Sequence, residues 1–213
     1  MGIVLIFICG FFAASILEWI AYKVPKEEKV SLKDKLKNYC RYAKKITNKY
    51  AIIACLMGIV YCMFYVKYKV SIDFLRYSLV CSVLFIVAII DYKTQNVYFS
   101  TTASAAVLSI IFILLNYMNG RSIKTYIFGG IAIGIFSSIL AVLNVIGWGD
   151  VEILIVCGLL VGTYKVIIVA FISIILCGGY GVFNMIRKDS KVLRTAFGPY
   201  ILISLIGVII AMK

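Results

Sequence analysis

The chain of 213 residues contains no histidine, only two prolines and only nine acidic residues. The lack of histidine excludes the Ser-His-Asp and Cys-His arrangements that activate a nucleophile, although a Ser-Lys pair stays open. The seven cysteines form no Cys-x-x-Cys pair, and zinc sites are typically built from closely spaced Cys and His, so we expect no metal site. The prolines, Pro25 and Pro199, fall near predicted helix ends, where they disturb helical hydrogen bonding least.

What the sequence has in abundance is apolar residues, which make up 63% of the chain and give a mean hydropathy of +1.05. A membrane-crossing helix needs about 20 mostly apolar residues. The apolar runs are continuous rather than alternating, which argues against a β-barrel and predicts an all-α polytopic membrane protein, a bundle of about eight transmembrane helices. The predicted spans are 2–22, 51–66, 74–90, 100–118, 126–146, 151–164, 166–185 and 197–212. The short span at 151–164 is alternatively tilted, re-entrant or interfacial, which leaves six or seven crossings open.

Positive charge is distributed unevenly along the chain, which has 22 Lys+Arg and a net charge of +13. With the N-terminus outside and eight spans, 15 of these cations fall in inside loops and seven in outside loops. The positive-inside rule favours this orientation. Cations beside a cytoplasmic face serve mainly topology and binding to anionic membrane lipids, so we expect a multi-pass protein of the plasma membrane and no nucleic-acid partner. The first basic residue, Lys23, follows the apolar stretch, so we expect a retained first helix rather than a signal peptide.

Residues 23–50 form the only sizeable polar segment. Apolar residues recur within it at helical spacing, at Leu32, Leu36, Tyr39, Tyr42 and Ile46. The pattern predicts a basic amphipathic helix on the cytoplasmic membrane surface, with a solvated linker as the alternative. Because no internal repeat and no second polar segment of this size is evident, we predict one integral membrane domain over 1–213.

Two aspartates stand at the edges of apolar stretches, where a carboxylate is costly to desolvate and marks a candidate functional site. Asp91 follows the run 83–90, although an Asp in that place is also typical of a hydrated helix end or a cap. Asp150 follows Gly147 and Gly149, and glycine lets the backbone bend sharply and lets another chain approach closely. A turn in which Asp150 caps the next helix is the alternative interpretation.

In the eight-span topology, Asp91 and Asp150 both lie on the cytoplasmic side and can meet. Two close carboxylates share a proton and titrate as a pair. One of them then acts as general base toward water and the other as general acid, which is the division of labour of an aspartic protease. The pattern does not assign the two roles. Hydrolysis by two carboxylates requires no cofactor, and we expect none.

Four short motifs resemble, in their order along the chain, those of the type IV prepilin peptidases, which are membrane aspartic proteases with a GxGD motif. Residues 147–152 are similar to GxGDVK, residues 90–97 to the first-aspartate motif, residues 14–25 to GSFLNVxxxRxP, and residues 197–200 to the FGP segment that opens the last helix. In the first-aspartate motif an aliphatic residue, here Val97, stands six residues after the Asp.

The resemblance implies an endopeptidase, a hydrolase that removes the short basic leader from type IV prepilin or pseudopilin precursors at the cytoplasmic membrane face. The cut would follow a glycine and precede the hydrophobic pilin helix, in a pilus, competence or secretion apparatus. The site residues that the resemblance implies are catalytic Asp91 and Asp150, with backbone support from Gly147, Gly149, Gly198 and Pro199.

The chain departs from the family pattern at three positions: Glu152 replaces a Lys, Glu18 an Asn and Tyr98 a Pro. Both glutamates are expected near the cytoplasmic interface. There they would contact the basic leader, or alternatively pair with Lys23 or Lys93, since membrane charges usually find partners.

Many bacterial members carry four zinc-binding cysteines in the cytoplasmic loop, where this chain has only Cys40. We therefore do not expect the second activity of the bifunctional members, N-methylation of the new pilin N-terminus. The chain is instead similar to the short members that lack this loop.

Two other classes of function stay open. Intramembrane carboxylates and glycine-broken helices also mark ion paths in small membrane transporters, although no inverted repeat is evident. A non-catalytic subunit of a pilus or secretion assembly would use the aspartates only as helix caps. Five glycines of the last third are further predicted to permit close helix packing: Gly158, Gly162, Gly178, Gly179 and Gly181.

Overall fold

The computed structural model describes residues 2–23, 48–186 and 195–212, with the backbone alone for 15–23 and 48–52. This part of the chain forms eight α-helices, which confirms the predicted all-α polytopic fold. They are α1 (Gly2–Lys23), α2 (Asn48–Tyr68), α3 (Ile72–Thr94), α4 (Phe99–Met118), α5 (Lys124–Val142), α6 (Trp148–Val161), α7 (Thr163–Ile186) and α8 (Gly198–Ala211). The amphipathic helix predicted within 23–50 falls almost wholly on residues outside those described.

Four of the helices, α3, α4, α5 and α7, are long and apolar enough to cross a membrane, and α1, α2 and α8 contain shorter apolar stretches. The helix α6 has only 14 residues. Its rise of about 21 Å is less than the ~30 Å thickness of the hydrocarbon core. The short predicted span at 151–164 thus corresponds to a helix that does not cross the bilayer on its own.

The first of two compact units, Met1–Val70, consists of α1 and α2. These helices pack at glycines: a Cβ added at Gly10 would lie 3.0 Å from the Cα of Gly58. Small residues let helix backbones approach closely in a membrane, where lipid is as apolar as leucine. The single domain expected over 1–213 stays a prediction.

The second unit, Ser71–Lys213, contains the six remaining helices. Within it, α6 contacts each of the other five, and its buried side chains include Leu154, Cys157 and Leu160. A helix surrounded on all sides is apolar around its circumference. Packing against these helices therefore fixes the position of the first turn of α6.

The helices α5 and α6 approach each other closely in this unit. A Cβ added at Gly158 would lie 2.6 Å from the backbone oxygen of Gly129, so only glycine fits there. Gly162 ends α6 with a φ of +85°, which L side chains rarely adopt. The predicted close packing is confirmed at these two positions.

The other glycines predicted to pack, Gly178, Gly179 and Gly181 on α7, behave differently. A Cβ added at any of them would have no further described residue within 4 Å, beyond its own helix backbone and chain neighbours. In the described part of the chain these three glycines face open space, so the packing prediction is wrong for them.

The end of α5 also differs from the predicted span 126–146. The helix stops at Val142, because Asn144 adopts a left-handed conformation with a φ of 56°. Asparagine tolerates this conformation better than most residues. Residues 143–147 therefore form the turn that leads into α6.

A polar cluster lies at the start of α3. We call it the Asp73 cluster and define it as Asp73, Arg76, Tyr77, Arg121 and Tyr126. Asp73 forms ion pairs with Arg76 at 3.3 Å and with Arg121 at 2.7 Å. Arg76 donates a 2.7 Å hydrogen bond to the hydroxyl of Tyr77, and its guanidinium lies over the rings of Tyr77 and Tyr126. The cluster connects α3 with α5 and with the loop before it. Arg76, one of the seven cations predicted to lie outside, is 1% exposed.

Candidate active site

Asp91 lies in the last turn of α3 and is 5% exposed. Its Oδ2 accepts a 2.8 Å hydrogen bond from the backbone N–H of Gly198, 107 residues further along the chain. Gly198 is the first residue of α8, and the first four N–H groups of a helix have no partner within it. Pro199 follows at a position where its missing N–H costs nothing. The start of α8 thus supplies the donor that holds Asp91.

This contact requires glycine. A Cβ added at Gly198 would lie 2.8 Å from Oδ2 of Asp91 and 3.5 Å from its Cγ. A methyl group there would push the carboxylate away from the N–H. The geometry gives a physical reason for the FGP segment: its glycine lets a helix terminus touch a buried carboxylate.

Asp150 lies in the first turn of α6, rather than in the loop where the predicted spans placed it. Its Oδ2 accepts a 3.1 Å hydrogen bond from the backbone N–H of Gly147, the residue before the helix. This is one half of a capping box, in which a side chain at the third helical position reaches back to the N-cap. The capping interpretation of Asp150 therefore describes its hydrogen bond, and it does not exclude a chemical role.

The two carboxylates act on each other electrostatically. Burial raises the pKa of the Asp150 carboxyl to about 6, the hydrogen bond from Gly147 lowers it, and the charge of Asp91 raises it further. Neither aspartate forms an ion pair with a Lys or Arg among the residues that the structure describes. Two partly desolvated carboxylates without a cation favour a shared proton, because one protonated partner removes the repulsion.

The second glycine of the GxGD motif connects the two aspartate motifs. A Cβ added at Gly149 would overlap the side chain of Val97. Val97 is the aliphatic residue six positions after Asp91, in the segment between α3 and α4. The spacing of the first motif therefore places an apolar side chain against the backbone of the second, which fixes the start of α6 beside the end of α3.

The sequence did not connect Cys177 with the two aspartates. The charges of both Asp91 and Asp150 act on the Cys177 thiol. On the same stretch of α7, the ring of Tyr180 lies 5.9 Å from that of Tyr200 on α8. The run of glycines around Tyr180 was a signal that this part of α7 is unusual, but nothing in the sequence connected it with the aspartates.

Glu152, one of the two predicted leader contacts, is half-buried on α6. Its Oε2 accepts a 2.5 Å hydrogen bond from the hydroxyl of Thr102 on α4. Thr102 was not among the partners considered for this glutamate. The side chain of Glu18, the other predicted leader contact, lies outside the described residues.

A protein-family model described as the type IV leader peptidase family matches residues 78–182. The matched range contains Asp91, Val97, Asp150 and Cys177, whereas Gly198 lies beyond it. Searches among curated proteins and among solved structures give no match. The matched residues include both aspartate motifs and the helices that bring them together, and this part of the chain belongs to the type IV leader peptidase family.

Proposed function

We propose that the protein is a membrane aspartic endopeptidase that removes the short basic leader from type IV prepilin-like precursors at the cytoplasmic membrane face. Membership of the leader peptidase family supports the reaction class. The observation that carries the mechanism is the pair of carboxylates held by backbone N–H groups at one end of three helices, with the charge of Asp91 acting on Asp150.

The raised pKa of Asp150 supports the division of roles that we propose. At a pH below about 6 its carboxyl retains the shared proton and serves as the general acid, while Asp91 serves as the general base. A water molecule gives a proton to Asp91 and attacks the carbonyl carbon of the scissile bond, while Asp150 gives its proton to the carbonyl oxygen. When the C–N bond then breaks, the leaving amine takes the proton from Asp91 and the carbonyl re-forms by returning the other proton to Asp150.

The charges of the chain fit a precursor with a basic leader. Glu18 and Glu152 are the acidic residues that we propose as leader contacts near the cytoplasmic interface. The hydrogen bond from Thr102 fixes the direction of the Glu152 carboxylate, and a fixed carboxylate binds a cation at lower entropic cost than a mobile one. The basic segment 23–50 would bind anionic lipids and keep the same face of this single peptidase domain in the cytoplasm.

The test is cleavage of a prepilin-like precursor by the full chain in detergent, read by mass spectrometry. We expect the wild type to cut after the leader and to add no methyl group, and we expect Asp91→Asn and Asp150→Asn to be inactive. Asp73→Asn is the matched control, because it removes a carboxylate from the other end of α3. Cleavage retained by both site variants would contradict the mechanism. A wild type that cuts none of several pilin-like precursors would favour the transporter or the non-catalytic subunit.

A further inference from the structure

An apolar groove runs along the surface of the bundle between α5 and α7, with a volume of about 380 Å³. Its walls are large aliphatic and aromatic side chains, among them Phe136 on α5 and Ile167, Phe171 and Ile174 on α7. Several of these side chains are exposed. Exposed apolar side chains alone would suit lipid contact, so the position of the groove relative to the aspartates decides its interpretation.

The apolar lining of the groove continues toward the candidate active site. A small cavity of about 10 Å³ is lined by Phe136 and Ile174 of the groove and also by Ile146 and Phe197. Each of these last two residues directly precedes a glycine whose N–H holds an aspartate: Gly147 for Asp150 and Gly198 for Asp91. Packed apolar side chains therefore connect the lipid-facing surface with the residues that precede the backbone donors of the two carboxylates.

One of the open glycines of α7, Gly178, lies on the same face as the groove. Ile167, Phe171 and Ile174 are followed at helical spacing by Gly178, which has no further described residue within 4 Å of an added Cβ. Gly179 is one position further and points about 100° away. From Thr163 to Gly181 this face of α7 extends about 27 Å, close to the ~30 Å thickness of the hydrocarbon core.

We propose that this α5–α7 groove binds the apolar helix of the membrane-anchored precursor, with the helix backbone passing over Gly178 as it approaches the aspartates; the proposal rests on the proposed peptidase function. The length of the face fits a membrane-spanning helix better than a single acyl chain or a small molecule. Because Gly178 has no side chain, it allows the backbone of the incoming helix to approach closely, as at other membrane helix contacts. The end of the groove delivers the residues that precede the helix to the carboxylates.

A larger groove of about 730 Å³ lies between α5 and α6 and is a poorer candidate. It is lined by Ile155 and Leu159 of α6. At about 100° per residue, Ile155 points roughly 140° away from Asp150. A helix bound there would lie on the side of α6 that faces away from the carboxylate.

The first experiment compares two leucine substitutions in the full chain with one prepilin-like precursor as substrate. We expect Gly178→Leu to raise KM at least about tenfold with kcat within about twofold, because the added side chain occupies the groove before the transition state is reached. Gly179→Leu is the matched control, since it adds the same side chain on the same helix outside the groove face, and its KM should be unchanged. Equal effects of the two substitutions, or none from Gly178→Leu, would overturn the docking proposal while wild-type cleavage upholds the peptidase.

A second experiment locates the bound helix without relying on turnover. A photoreactive residue is placed in the apolar helix of the precursor, which is mixed with the Asp150→Asn variant, and adducts are mapped by mass spectrometry. We expect adducts on Phe136, Ile167 or Phe171. Adducts on Ile131 or Ile135, which line the α5–α6 groove, would overturn the proposal. Absence of adducts in either groove would assign the α5–α7 groove to lipid or to a second copy of the chain, and would overturn it as well.

Discussion

The helix α3 carries a carboxylate near each end, and the two are held in opposite ways. Asp73, whose side chain is 22% exposed, is paired with the guanidinium groups of Arg76 and Arg121. Asp91 is 5% exposed and accepts a hydrogen bond from the backbone N–H of Gly198. The less exposed carboxylate is thus the one without a cationic partner among the described residues.

The difference separates a structural carboxylate from one that can exchange protons. A buried guanidinium such as that of Arg76 is costly to desolvate, so Asp73 and the two tyrosine rings are needed to compensate it. A backbone N–H fixes the position of Asp91 without adding a full positive charge, so the protonation of Asp91 and Asp150 remains sensitive to one another.

The largest expected effect is on cleavage, and it follows from removing the carboxylate that has no cationic partner. Asp91→Asn should lower cleavage by about 10³-fold or more, because an amide cannot serve as general base. Its melting temperature should be unchanged or raised, since the cost of burying a carboxylate is removed. Cleavage of a prepilin-like precursor and thermal unfolding in detergent measure the two quantities.

Asp73→Asn should show the reverse pattern. The substitution leaves the buried guanidinium of Arg76 without its counter-charge, and we expect a loss of about 2 kcal/mol in stability. This is less than the ~3–5 kcal/mol lost when a fully buried ion pair is broken, because Asp73 is partly exposed. Cleavage at a temperature where the variant is folded should stay within about twofold of wild type. Loss of activity in a folded Asp73→Asn protein would show that the two ends of α3 are not separate in function.

The next effect concerns the backbone donor of Asp91. Gly198→Ala should lower kcat by about 10- to 100-fold with little change in KM, because the added methyl displaces the carboxylate from the N–H. Gly207→Ala is the matched control on the same helix, where a Cβ would meet nothing within 4 Å in the described part of the chain. Equal kinetics for the two alanine variants would exclude the N–H of Gly198 as a determinant of the site.

The pH dependence of cleavage sharpens the same comparison. The pKa of Asp150 is raised to about 6, so its carboxyl is protonated below that pH and ionised above it. Loss of the general acid predicts that kcat/KM of the wild type falls as pH rises through about 6, approaching tenfold per unit. Initial rates between pH 5 and 8, with protein stability checked at each pH, measure this fall in kcat/KM. A rate that still increases up to pH 8 would contradict the assignment of Asp150 as the acid.

The smallest expected effect concerns the contact between α4 and α6. Thr102→Val removes the hydroxyl that hydrogen-bonds to Glu152, two residues after Asp150. Because Glu152 is half-buried and water can replace the hydroxyl, we expect a stability loss of about 1 kcal/mol and a change in kcat/KM of roughly twofold. Thr102→Ser, which keeps the hydroxyl, should retain wild-type values. A tenfold loss for Thr102→Val would show that the orientation of Glu152 matters for leader binding.

The helices were predictable because a long apolar run inside a bilayer has few ways other than a helix to form its backbone hydrogen bonds. The residues at which they end were less predictable. The α5 helix ends before Asn144 because of a single left-handed residue inside a run that is still apolar, and hydropathy does not register backbone conformation. The burial of Arg76 was not predictable for a related reason, since a sequence does not show that two tyrosine rings and a carboxylate surround a buried cation.

For the candidate site, the sequence was sufficient for the two aspartates and the glycines but not for their partners. Glycine and aspartate in a short motif leave a visible pattern, and the resemblance to known peptidases added Gly198. The hydrogen bond between Gly198 and Asp91, the Thr102 hydroxyl on Glu152 and the position of Cys177 all connect residues far apart in the chain. Such contacts depend on how the helices pack, and packing of apolar surfaces has no local signature. The roles assigned to these residues stay predictions.

Two of the helices that carry the site, α6 and α8, have only 14 residues each. Helices of about 21 Å are shorter than a hydrocarbon layer of ~30 Å, and a bilayer can respond to such hydrophobic mismatch by thinning. Thinning beside the bundle would bring water and lipid headgroups closer to Asp150 at the start of α6. Membrane thickness would then influence hydration at the carboxylates, and lipids with longer acyl chains would change it without touching either aspartate.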